Sequence, residues 1–222
     1  LTDYAVSADV GTGEGNGAVH GMAPDALAID SSTLSRDGVR ALGEAMRAKH
    51  VRFVEAPVSG SLPQAESGQL VYLVGGDKEV CDLAAPLLCQ MGSVVKHVGP
   101  LGCGALTKLS TNALLGIQVT ALAELSAMLS KAGVDAAPIF DAMASTPVWS
   151  TVAGRIVGSI RAGDFTPQFP IRLIDKDFNY LVAACGTPTS APTLAATRDV
   201  FDRAMEEGLG DLNMTGVARL YS

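Results

Sequence analysis

The stretch from Gly104 to Lys131 limits this chain more than any other. Its apolar residues are Leu106, Leu109, Ala113, Leu114, Leu115, Ile117, Val119, Ala121, Leu122, Leu125, Met128 and Leu129. They recur on nearly every side of one helix, about 40 Å long at 1.5 Å per residue. A helix apolar all round is buried in a core or in an oligomer interface. Gln118 and Glu124 interrupt the run, which favours a buried helix over a membrane span. Near its start, Lys108 and Asn112 lie four residues apart and so share one helix face. A cation and an amide set side by side on a helix of this kind are candidates for chemistry.

The chain has 222 residues, 48% of them hydrophobic and 18% charged, with a net charge of -7. That composition folds, and it gives no electrostatic case for nucleic acid or an anionic membrane. Cys81, Cys89, Cys103 and Cys185 show no CxxC spacing, so reduced thiols in a cytoplasmic protein are expected. The histidines, His20, His50 and His97, are scattered, and no metal site is expected. The opening Leu1-Thr-Asp-Tyr has no basic or apolar run of a secretory signal. It reads as a strand end or the loop after it, so further sequence is expected upstream.

Gly11 to Gly17 holds four glycines but not at dinucleotide-loop spacing, and Glu14 would face the phosphates. A surface loop is expected there. Strands are expected at 25–29, 51–56, 69–74 and 94–98, with helices at 36–50 and 78–90. Thr33 or Ser35 caps the first helix and Asp77 the second. Residues 62–68 read as a loop or turn. Strand, helix, strand, strand, helix, strand suits the second half of a doubly wound α/β domain, without a first βαβ unit. Everything after Gly102 reads as helical: 104–131, 135–144, a helix ending near Arg161, 173–185 and 192–208. Leu194, Val200, Phe201 and Met205 are expected on the inner face of the last. Residues 1–101 are therefore assigned to an α/β domain and 102–222 to a helical one.

Gly-x-x-Gly-x-Gly-x-x-x-Lys-x-x-x-Asn, from Gly99 to Asn112, resembles the catalytic segment of the β-hydroxyacid dehydrogenases. That family includes 3-hydroxyisobutyrate dehydrogenase and tartronate semialdehyde reductase. Three more of its motifs follow in order. Asp30-Ser-Ser-Thr33 is similar to the Asp-x-Ser-Thr element, which implies that Thr33 contacts the cofactor. Ala56-Pro-Val-Ser-Gly60 is similar to the substrate loop, which implies that Ser59 and Gly60 hold a carboxylate. Lys176-Asp177 is similar to the Lys-Asp pair whose Lys reaches the cofactor. Leu1-Thr2 stands where the family has a Leu-Pro turn against the cofactor. Ser61 replaces the family's second loop glycine and either adds a hydroxyl to the pocket or narrows it.

The resemblance implies a Rossmann-type sheet, here its C-terminal half only, followed by a helical substrate and dimerisation domain. It implies hydride transfer between NAD or NADP and a small 3-hydroxy acid or semialdehyde. Lys108 would serve as acid/base and Asn112 would orient it or bond the substrate oxygen. Burial lowers a lysine toward neutral pKa. A homodimer or higher homo-oligomer is expected. The family's N-terminal Gly-x-Gly-x-x-Gly unit is absent from these residues, so the 222-residue chain is not expected to be competent alone. The rival reading is a truncated, inactive homologue acting as an oligomerisation or ligand-binding module. Imine reduction is disfavoured, because related imine-reducing enzymes replace the lysine.

Overall fold

The structure is a computed structural model, and it describes residues 3–13 and 15–221. Leu1 and Thr2, expected against the cofactor, lie outside the described residues. The chain forms two compact units, residues 1–111 and 112–222.

The first unit opens with helix α1 (Tyr4–Thr12), where a strand end or loop is expected. Asp3 explains the difference: its carboxylate accepts the Val6 N–H at 3.0 Å and caps the helix. The glycine run then gives turns and a short 3-10 helix, Ala18–Gly21. Next come β1 (Leu27–Asp30), α2 (Arg36–Ala48), β2 (Arg52–Glu55) and β3 (Val58–Ser59). Ser35, not Thr33, caps α2 through the Gly38 N–H. Val39, Leu42 and Met46 of α2 are buried with Phe53, as the 3.6-residue period requires.

Residues 62–66 form a short helix, α3 (Leu62–Glu66), rather than the expected loop or turn. Pro63 suits a first helical turn, and Gln64 reaches back to accept the Ser61 N–H at 3.0 Å. Strand β4 (Leu70–Gly75), helix α4 (Lys78–Leu88) and strand β5 (Gly92–Gly99) complete the layer. Asp77 stands at the N-cap of α4, but its side chain makes no capping bond there.

The sheet is mixed. β1 and β2 are parallel, and so are β4 and β5. β2 meets β4 antiparallel at Glu55–Gly75. After the bend at Ala56-Pro57, β3 pairs further along the same strand, Val58–Tyr72 and Ser59–Val71. The connection from β3 to β4, residues 60–69, is too short for a parallel crossover of about a dozen residues or more and so reverses the chain.

Helix α5 (Cys103–Lys131) runs through the 111/112 division. Its length and apolarity would suffice to cross a membrane, yet Leu109, Val119 and Ala123 are fully covered by protein. The helix is not apolar-buried all round: Leu114 is 65% and Met128 54% exposed.

The second unit continues with α6 (Ala136–Ala144), α7 (Ala153–Ala162), α8 (Ile171–Ala184) and α9 (Pro192–Glu206). Phe178 and Phe201 meet with ring centroids 5.6 Å apart at the centre of α8 and α9. On α9 the buried positions are Ala195, Thr197, Phe201 and Ala204. Met205, expected inside, is 38% exposed. The chain ends in a 3-10 helix, Met214–Tyr221, which the sequence reading did not assign. Before it, Asn213 Oδ1 accepts the N–H groups of Gln168 and Phe169 and ties down the proline loop.

Candidate functional site

In the first unit the site is built around a residue that sequence reasoning missed. Glu55 ends β2 and is 1% exposed. Its Oε1 accepts the N–H of Gly102 at 2.5 Å and of Gly104 at 3.0 Å, and its Oε2 accepts the N–H of Ala105 at 2.8 Å. These are the N–H groups that a helix start leaves without an internal partner, and the helix dipole favours an anion there. The carboxylate sits in a socket made by glycines. A Cβ at Gly75 would lie 2.2 Å from Glu55 Oε1, and one at Gly104 would lie 2.9 Å from Glu55 Cδ. Burial pushes the Glu55 carboxyl above its ordinary value, and the three N–H donors pull against it without cancelling it. The only sequence signal was an acid wedged between Val54 and Ala56 in an otherwise apolar strand end.

Lys108 stands on α5, half-buried, three residues after Ala105. Ser59 is half-buried in β3, and Gly60 follows at φ +131°. That backbone favours glycine, and a Cβ there would also meet Leu70 Cδ2 at 2.9 Å. The Ser61 hydroxyl donates to Gln64 Oε1 at 2.9 Å, so it is tied to the start of α3. Thr33 is half-buried in the turn between β1 and α2. A cavity of about 440 Å³ opens elsewhere in this unit, lined by Ser7 and Gly11 of α1, Leu27 and Ile29 of β1, and Met46 of α2. Asp30, Ser31 and Ser32 of the Asp30–Thr33 element also line it, whereas Thr33, Ser59, Gly60, Ser61 and Lys108 do not.

In the second unit the structure brings together Asn112, Lys176 and Asp177. Asn112 is 4% exposed and Asp177 2%. The Asn112 Nδ2 donates to Asp177 Oδ2 at 2.6 Å, and the Lys176 ammonium donates to Asp177 Oδ1 at 2.7 Å. The same ammonium lies 4.8 Å from the centroid of the Tyr180 ring, close enough for a cation–π contact. A buried carboxylate is tolerable only when paired and hydrogen-bonded, and both oxygens of Asp177 are. The sequence reading gave Asn112 to Lys108 or the substrate, whereas its amide nitrogen is committed to Asp177. That commitment fixes the amide plane, with its oxygen left as the acceptor.

A mixed α/β sheet handing over to a long helix, then a helical unit with a buried Asn–Asp–Lys cluster, is a dinucleotide-type dehydrogenase layout. Comparison with known proteins narrows it. Residues 3–99 match the family described as the NAD binding domain of 6-phosphogluconate dehydrogenase. Residues 102–221 match the NAD-binding domain of NADP-dependent 3-hydroxyisobutyrate dehydrogenase. The chain belongs to the β-hydroxyacid dehydrogenase family.

Glyoxylate/succinic semialdehyde reductase 1 of Arabidopsis thaliana is 32% identical over 85% of this chain and 66% of its own length. 3-Hydroxyisobutyrate dehydrogenase of Pseudomonas aeruginosa is 31% identical over 88% of this chain and 69% of its own. Among solved structures, Mycobacterium tuberculosis 3-hydroxyisobutyrate dehydrogenase with L-serine superposes with a TM-score of 0.87 at 26% identity. It covers 99% of this chain and 77% of that one. The chain spans 61–66% of the length of the first three curated relatives.

Proposed function

We propose that this chain belongs to an NAD(P)-dependent oxidoreductase acting on a small 3-hydroxy acid or semialdehyde, with Lys108 as the acid/base. The bound nicotinamide supplies or accepts hydride at the carbinol carbon. The protein's part is to hold the substrate and manage the proton. Lys108 gives a proton to the carbonyl oxygen in reduction and removes it in oxidation. Asn112, its amide plane set by Asp177, bonds that same oxygen. Ser59 and the Gly60 N–H hold the substrate carboxylate, which selects acids over plain alcohols. Thr33 and Lys176 serve the cofactor, as do Leu1 and Thr2, and the protein works in the cytoplasm. The α/β part is read as 1–101 and the helical part as 102–222. Self-association into a homodimer or higher oligomer is part of this reading.

The observation that carries it is Asn112. Its amide lies one turn beyond Lys108 on α5, buried and bonded to the buried Asp177, a polar pair that the packing of an apolar helix does not itself require. Relatives named as glyoxylate/succinic semialdehyde reductase and 3-hydroxyisobutyrate dehydrogenase support the substrate class. The test is NADH and NADPH titration of the protein joined to the Gly-x-Gly-x-x-Gly unit that these residues lack, then turnover with short hydroxy acids and semialdehydes. Lys108→Ala is expected to lower kcat by about 10²–10⁴-fold with an unchanged circular dichroism spectrum. Near-normal turnover removes Lys108 from the chemistry. Absence of cofactor binding at millimolar concentration favours a non-catalytic module.

A further inference from the structure

We propose that Glu55 is a positioning residue for Lys108: it ties the first turn of α5 to the end of β2, which leads through Ala56-Pro57 into the Ser59–Gly60 turn. The proposal rests on the reading of Lys108 as proton carrier and of Ser59–Gly60 as the carboxylate turn.

Two connections leave Glu55, and both are short. Along the backbone it is four residues from Ser59. That route is stiff. Pro57 has a fixed φ, the Ala56 N–H bonds Asp30 O at 2.7 Å, and Pro57 O accepts the Leu73 N–H at 2.9 Å. Through its side chain Glu55 holds Gly102, Gly104 and Ala105, and Lys108 follows Ala105 by less than one turn. One buried carboxylate therefore sits between the residue given the proton and the residues given the substrate anion.

Capping alone does not account for this arrangement. A helix start is satisfied by a Ser, Thr, Asp or Asn just before it in the chain, at little cost. Here the acceptor is a buried acid 47 residues earlier, with a glycine socket at Gly75 and Gly104 cleared for it. Burying an acid is unfavourable unless its partners compensate, and the upward push on its pKa shows the same strain. A local cap would fix the helix end only to itself. An acid at the end of β2 fixes it to the substrate turn.

The experiment uses Glu55→Gln in the 222-residue chain and reads Lys108 directly. Lysines are reductively methylated with ¹³C-formaldehyde, and the Lys108 signal is assigned by its loss in Lys108→Arg. Amide hydrogen exchange is followed in parallel. Glutamine keeps the length but turns the NH2 of its amide, a donor, toward N–H donors. Exchange at residues 104–109 is expected to quicken by about tenfold or more. The Lys108 signal is expected to move, while those of exposed Lys78 and Lys131 stay. Faster exchange with an unmoved Lys108 signal would reduce Glu55 to a cap and overturn the proposal. If the glutamine variant fails to fold, Glu55→Asp, which keeps the charge and shortens the reach, is read in the same way. The turnover of Lys108→Ala, read in the protein joined to the missing Gly-x-Gly-x-x-Gly unit, separates the two ideas. A Lys108 signal that responds to Glu55 in an enzyme indifferent to Lys108→Ala would sink the proton-carrier reading and leave the tie intact.

Discussion

Asp175 carries a pH response that its own sequence position does not advertise. It precedes the Lys176-Asp177 pair on α8, and its Oδ1 is buried without a hydrogen-bond donor among the described residues. Burial first, then the Asp202 carboxyl facing it from α9, push Asp175 up to about 7, while Arg198 on α9 pulls the other way. On its own helix, the Asn179 amide bonds the second oxygen at 3.3 Å. The folded value lies above the unfolded one of about 3.9. The stabilising contribution is therefore complete below about pH 4 and is lost as pH rises through 7. Asp175→Asn, permanently neutral, should flatten that loss. Thermal melting from pH 5 to pH 8 is expected to fall more steeply in the wild type than in the variant, and parallel curves would refute the raised value of Asp175. Asp175 could be seen in the sequence only as one more polar residue. Its partner lies 27 residues on, and no local pattern pairs them.

At the scale of single elements, periodicity served well where an element had one dry face. Helix α2 showed Val39, Leu42 and Met46 together in the sequence, and they are buried together. Helix α5 was legible from its length of apolar residues and from Gly99, Gly102 and Gly104 before it. Period failed where capping decided the matter, at α1 through Asp3 and at α3 through Gln64. On α9 it placed Phe201 on the inner face correctly, with Leu194 and Val200 half-buried, but not Met205. There the small residues Ala195 and Ala204 let the helix approach its neighbours, and the larger Met205 stays outside. The contact that matters most in this unit is Phe178 against Phe201, both fully buried. Phe178→Ala leaves a cavity beside α5, since a Cβ on Gly116 would already lie 2.4 Å from Phe178 Cε2. It should cost about 3–5 kcal/mol, seen as an earlier urea transition of the helical unit. A loss below about 1 kcal/mol would mean that the site collapses freely.

Over the whole molecule, the order of elements and the four family motifs were readable, but the mixed sheet was not. The Pro57–Gly68 excursion looked like a simple strand exit, and the antiparallel pairing of β2 and β3 with β4 shows the reversal. The site residues were legible as residue types and not as partners, because Glu55, Asn112 and Asp177 act across 47 and 65 positions. The sequence marked α5 as buried in a core or in an oligomer interface without picking out a face. Leu114, Ala121 and Met128 are seven residues apart and all exposed, the spacing of a helix seam. If two copies meet there, Leu114→Lys with Met128→Lys should yield a monomer in sedimentation velocity without loss of helicity. An unchanged sedimentation coefficient would place any self-association elsewhere.

The distant acceptor at the head of α5 also orders events in time. A helix that borrows its cap cannot complete its first turn by itself, however strongly its interior favours coiling. On the ribosome the lending strand emerges first and must find its place in the sheet before the borrower can settle. The end of α5 that carries Lys108 should thus be among the last parts of the first unit to become rigid during folding, and the first to loosen when the sheet is disturbed.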